Sequence, residues 1–132
     1  MAEVKKQKIL LVMSQSNLSD APHTDVVAAI AGYLKRRYGD KIDVEVNLME
    51  AACWVAHKNS ESPYTTSPSR RLVELAADEG AIVSTVGYCG YARGMYEECY
   101  HPPLLNHENF RFYKKMKDAV GAYTTADKML FF

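Results

Sequence analysis

The chain lacks most of the features that would assign it a partner or a chemistry at first reading. It has no surplus of charge, since sixteen basic residues balance sixteen acidic ones. That balance argues against nucleic acid or an acidic membrane as partner, both of which select for a basic surplus. Its three cysteines (Cys53, Cys89 and Cys99) are odd in number and too sparse for a disulfide scaffold. No apolar run approaches the roughly 20 residues of a membrane span. The run ILLVM behind the basic N-terminal residues is too short for a secretion signal, and no small-residue cleavage site follows. Free thiols in a reducing cytoplasm are the expectation. A phosphate-binding glycine loop, a Rossmann fingerprint, a CxxC pair and an HExxH helix are also missing from the sequence.

What is present is a regular alternation of apolar runs and amphipathic segments. At 132 residues and 48% apolar, the chain suffices for one domain over 1–132 with its own core. KILLVMS (Lys8 to Ser14) is a continuous aliphatic run, as in a strand buried on both faces of a parallel sheet. Pro22 to Tyr38 carries Val26, Val27, Ile30, Ala31 and Leu34 at helical spacing, with basic residues in its last turn and Gly39 after it. IDVEVNLM (Ile42 to Met49) is a second strand whose Glu45 and Asn47 mark a more polar side. EAACWVAHK begins a short helix, and NSESPYTTSPS is a proline-punctuated loop. A helix over about Pro68 to Asp78 turns Leu72, Val73, Leu75 and Ala76 inward, Gly80 follows, and AIVSTV is a third strand. Asn109 to Tyr123 reads as a helix, with Phe110, Tyr113, Met116 and Val120 on one face. Arg111, Lys114, Lys115 and Lys117 form its solvated basic side. Lys128 to Phe132 is a terminal strand. Together these segments predict a three-layer α/β/α sandwich around a mostly parallel sheet of about five strands, a flavodoxin-like variant.

In such a sheet, chemistry gathers at the carboxyl ends of the strands. Three loops qualify: Ser14 to Pro22, Glu50 to Lys58, and Gly87 to Asn109. The first, SQSNLSDAPH, is rich in hydroxyls but has no glycine, so it does not match a flavin-phosphate loop, and no cofactor is expected. The third opens VGYCGYARG, where Gly87, Gly90 and Gly94 let the backbone approach a partner around Cys89. Arg93 and free backbone N–H groups there would stabilise a thiolate, the form that attacks sulfur. Tyr88 and Tyr91 would shield or present that sulfur, or simply pack at the rim. Cys53 is a second thiol on the same sheet edge. It also lies four residues from His57, so that Cys53, His57, Cys89 and His101 form an alternative metal set. Cys99, beside Glu98, has negative charge against it and ranks last.

KILLVMS, VNLMEAACW, RRLVELAADEGAIVSTVGYC, CGYARG and TTADKMLFF, in that order and spacing, resemble the DsrE/YchN (DsrEFH-like) family of small sulfur-handling proteins. The resemblance implies an intracellular sulfur-trafficking protein that holds sulfane sulfur as a persulfide, with or without sulfurtransferase activity. Cys89 falls on the persulfide cysteine, and Arg93 and Gly94 on the turn after it. Some members carry another cysteine three residues earlier. Val86 stands there in this chain, so a local dithiol is excluded. The implied partners are sulfur donor and acceptor proteins, and the implied assembly is a homotrimer or homohexamer. The alternatives are a non-catalytic small-molecule or metal-binding module, or a scaffold subunit of a sulfur or redox complex.

Overall fold

Aliphatic segments form the centre of the sheet because strands covered on both faces have no position for polar side chains to meet water. In the computed structural model, which describes residues 6–14, 23–49, 52, 68–86, 89 and 107–132, β1 spans Gln7–Met13, β2 Ile42–Leu48 and β3 Ile82–Val86. β4 (Phe110–Tyr113) and β5 (Lys128–Phe131) flank them. The strand order is β4-β3-β2-β1-β5, and every neighbouring pair is parallel. The helices are α1 (His23–Tyr38), α2 (Pro68–Asp78) and α3 (Met116–Thr125).

Topology assigns the helices to layers. From β1 to β3 the chain advances in one direction, whereas from β4 to β5 it returns across the sheet. Right-handed crossovers in opposite directions place their helices on opposite faces. Accordingly α1 and α2 pack on each other and on one face, and α3 meets β1 and β4 from the other. The expected α/β/α sandwich is therefore present, with all five described strands parallel.

The α1/α2 face is the apolar core. Leu11, Met13, Val44, Val46, Leu48 and Val83 from the strands meet Val27, Ala28 and Ala31 of α1 and Val73, Ala76 and Ala77 of α2. Small residues bring the two helices close; a Cβ on Gly32 would lie 3.6 Å from the Ala76 Cα. Both helices end as the sequence indicates. Gly39 and Gly80 have φ of +54° and +108°, the left-handed backbone that only glycine adopts freely. Lys35 Nζ donates to the carbonyls of Gly39 and Ile42 at 3.0 and 3.1 Å, which locks the end of α1 to the start of β2.

Three expectations are corrected. Residues 109–123 are not one helix: Phe110–Tyr113 is edge strand β4, and the helix starts at Met116. The alternation Phe-Arg-Phe-Tyr has period two, and aromatic residues suit a pleated edge. Asn109 fixes it there, its side chain donating to the Ala77 carbonyl at 2.8 Å while the Val83 N–H donates to the Asn109 carbonyl at 2.9 Å. Second, Met116 and Val120 are not buried but about half exposed, at 54% and 46%; α3 seats itself on Ala119 and Ala122 instead. Third, Leu75 stands on the outer side of α2, and Val26 and Ile30 on the outer side of α1.

Replacing the fully buried Leu11 with alanine is expected to cost about 2–5 kcal/mol. Leu75→Ala should cost less than half as much, because that side chain is already partly in water. Chemical denaturation of the two variants checks the layer assignment; equal losses would contradict it.

Candidate functional site

Because all five strands are parallel, their carboxyl ends share one edge of the sheet. Backbone bonds hold that edge level: the Met49 N–H donates to the Met13 carbonyl at 2.8 Å, and the Ser14 N–H and hydroxyl both donate to the Phe132 carbonyl. Cys89 stands three residues past the last residue of β3, in helical conformation, half-buried and not in a disulfide. Tyr88, Gly90, Arg93 and Gly94, and likewise Cys53, His57 and His101, lie outside the described residues, as do Tyr91 and Cys99. Only Cys89 of the four alternative metal ligands is placed. Among the described residues no three His, Cys, Asp or Glu side chains converge as a metal site would require.

The structure brings to the α3 face a group of residues the sequence analysis did not assign to the site. Alternation on β2 turns Glu45 and Asn47 away from the apolar core, and register places Asn47 opposite Ser84 of β3. All three are buried, Glu45 at only 5% exposure. Ser84 Oγ donates to Glu45 Oε2 at 2.7 Å, and Asn47 Nδ2 donates to Ser84 Oγ at 2.9 Å. Tyr123 of α3 completes the chain, its hydroxyl donating to Asn47 Oδ1 at 2.8 Å. From β4, the Tyr113 hydroxyl donates to the same Glu45 oxygen at 2.8 Å. Lys8 Nζ stands 3.7 Å from Glu45 Oε1. The polar alternation of Glu45 and Asn47 was the sequence signal for this cluster. Its partners come from β3, β4 and α3, which local sequence does not link.

Both phenols feel this surrounding. Burial pushes Tyr113 above the ordinary tyrosine value of 10.0, and the hydrogen bond and negative charge of Glu45 push it further. Burial, then the negative charges of Cys89 and Glu45, push Tyr123 up to about 12.

Each phenol thus holds its proton more tightly folded than unfolded. The stability this contributes is complete below about pH 10 and is lost as pH rises from there through the folded-state values. Titration of tyrosinate absorbance should show a late step near pH 12 that Tyr123→Phe removes. The same variant should lose less of its remaining stability between neutral and strongly alkaline pH. A titration unchanged by the substitution would contradict the assignment.

No protein-family model and no curated protein sequence matches the chain. Among solved structures, the crystal structure of the ychN protein from E. coli matches with a TM-score of 0.71 at 16% identity, over 97% of this chain and 100% of that one. No described helix is long and apolar enough to cross a membrane. The chain has the fold of the YchN protein, the fold that its sequence resemblance to the DsrE/YchN family implies.

Proposed function

We propose that this protein is a cytoplasmic sulfur carrier of the DsrE/YchN kind, which holds sulfane sulfur as a persulfide on Cys89. The observation that carries the reading is the position of Cys89: an unbridged, half-buried thiol just past a central parallel strand, at the edge where such sheets present their chemistry. The sequence resemblance assigns the persulfide to the same residue, and the shared fold supports that resemblance.

The chemistry needs no metal and no organic cofactor. The Cys89 thiolate attacks the outer sulfur of a donor persulfide, R–S–SH. A new S–S bond forms to Cys89, the donor's own S–S bond breaks, and the donor leaves with the electron pair as R–S⁻. Cys89 now carries –S–SH. An acceptor thiolate repeats the exchange in the opposite sense, taking the outer sulfur and releasing Cys89 as thiolate. Sulfur moves at constant oxidation level, so no external oxidant or reductant enters. In this reading Arg93 steadies the anionic sulfur, Tyr88, Gly90 and Gly94 are supporting residues, and Cys53 is a second candidate thiol.

The partners are a donor and an acceptor protein, and further copies of this chain. Edge strand β5 carries Met129, Leu130 and Phe131 in solvent, Phe131 at 69% exposure, and Met116 and Val120 of α3 add to the exposed apolar surface. An apolar strand at the edge of the described sheet is a hazard unless something covers it. A homotrimer or homohexamer would do so.

Incubation with a sulfane-sulfur donor should add one reducible sulfur to the intact mass, mapped to Cys89. Cys89→Ser should take up none there; equal loading of that variant would refute the carrier. Stoichiometric metal in protein purified without chelator would instead favour a metal-binding module. Analytical ultracentrifugation should give a multiple of the chain mass, and Phe131→Asp should shift it toward the monomer. A monomeric wild type would remove the assembly from the proposal.

A further inference from the structure

The start of edge strand β4 is fastened through one imidazole, and its bonds fix where the ring's hydrogen lies. The Asn109 backbone N–H donates to His107 Nδ1 at 3.0 Å. A backbone N–H can only donate, so Nδ1 bears no hydrogen and the ring is bound in its neutral form, with the hydrogen on Nε2. Nε2 in turn donates to Asp78 Oδ1 at the end of α2, at 2.8 Å. Asn109, so held, makes two further bonds. Its side chain donates to the Ala77 carbonyl at 2.8 Å, and its own carbonyl accepts the Val83 N–H of β3 at 2.9 Å. The ring lies against Phe110 with centroids 5.6 Å apart, and the His107 side chain is only 20% exposed. Among the described residues, Asp78 is the charged group that bonds the ring. Glu74 lies one turn before it on α2, and Glu108 and Arg111 flank the start of β4, where the Arg111 guanidinium is turned to the Glu108 and Phe110 carbonyls.

We propose that His107 is a pH-sensitive fastener for β4: the neutral ring holds Asn109, and the protonated ring lets it go. Protonation places a hydrogen on Nδ1, opposite the Asn109 N–H, so that donor meets donor. The positive ring bonds Asp78 more strongly than the neutral one does, and so stays in place. The loss therefore falls on Asn109, and through it on the bond from Val83 that joins β3 to β4. Two features depend on that strand. Tyr113 of β4 donates to the buried Glu45 at 2.8 Å. Residues 87–106, which include Cys89, join β3 to this fastening. No step of the exchange involves sulfur, so it operates whether or not Cys89 carries any.

Histidine changes charge between about pH 8 and about pH 5. Over that span, amide hydrogen exchange read by NMR, corrected for the intrinsic effect of pH, should show the Asn109 and Val83 amides losing protection. The expected loss is about fivefold, the weight of one ordinary hydrogen bond. His107→Asn supplies an oxygen that accepts from the amide two residues on and does not titrate. That variant should keep both amides protected at either pH. Wild-type protection that is flat across the span, or a loss of the same size in the variant, overturns the proposal. A ring that served only to pack on Phe110 would give neither the pH dependence nor its removal by asparagine. If the variant does not fold, the wild-type protein decides. The ring nitrogen shifts near pH 8 should place the hydrogen on Nε2, and a hydrogen on Nδ1 overturns the proposal. Sulfur loading at Cys89 is a separate measurement, so its failure would refute the carrier reading alone.

Discussion

A carboxylate buried in the middle of a parallel sheet is the constraint on which much of this molecule depends. Removing Glu45 from water is costly, and it is tolerable only because its partners are in place. Ser84 and Tyr113 donate to one of its oxygens, and the Lys8 ammonium lies near the other. Those partners come from three further strands, so β1, β3 and β4 must all stand in register with β2 for the charge to be compensated. Loss of any one would leave a stranded charge rather than a missing contact. The two faces of the sheet are consequently built on different physics. The α1/α2 face is held by dispersion and hydrophobic burial among many interchangeable aliphatics. The α3 face adds to its own buried aliphatics, Leu10, Val12 and Val86, a set of hydrogen bonds that admit one arrangement.

This difference explains which parts of the structure could be read from the sequence. The α1/α2 side was legible because its signal is local and periodic. KILLVMS and AIVSTV read as buried strands, and the helix around Leu72, Val73 and Ala76 has its inward stripe. Gly39 and Gly80 mark the helix ends through the backbone conformation they alone adopt easily. On the α3 side only half a signal existed. Glu45 and Asn47 alternate with valines, which announces a polar side without revealing what satisfies it. The answer lies 37 to 76 residues away, at Ser84, Tyr113 and Tyr123. Phe110 to Tyr123 was misread for a related reason. Four strand residues are too few to establish period two, and the aromatic and aliphatic residues beyond them continue at helical spacing. The anchors that decide the matter, Asn109 on Ala77 and Tyr113 on Glu45, are tertiary.

The candidate site divides in the same way. Cys89 was found from a cysteine framed by glycines after an apolar strand, which is a local pattern. Tyr123 carried no such mark, since a tyrosine on an amphipathic helix is ordinarily a packing residue. What distinguishes it is its hydroxyl's buried partner, Asn47. A sequence reading thus favours the reactive atom and overlooks the buried polar groups, because the reactive atom needs a special local backbone and the polar groups need only a shared sheet face.

That division also suits the task proposed for the chain. A carrier has to meet two partners, so its sulfur belongs on a connection at the sheet edge, where another surface can approach. The same sulfur must not be given up to the first thiol that arrives, which requires an environment of fixed polarity. Polarity set by loop residues would change whenever a partner displaced the loop. Here a fixed polar chain runs from Glu45 in the centre of β2 through Ser84 and Asn47, both buried in strands. Side chains locked by packing on regular elements hold their orientation far better than those on loops. Its last member, the Tyr123 phenol, belongs to α3, which also seats Ala119 and Ala122 against the sheet and receives a bond from Lys8 at Thr125. A partner docking at the sheet edge would then displace the connection that carries the sulfur while the strands and their hydrogen bonds stayed in place.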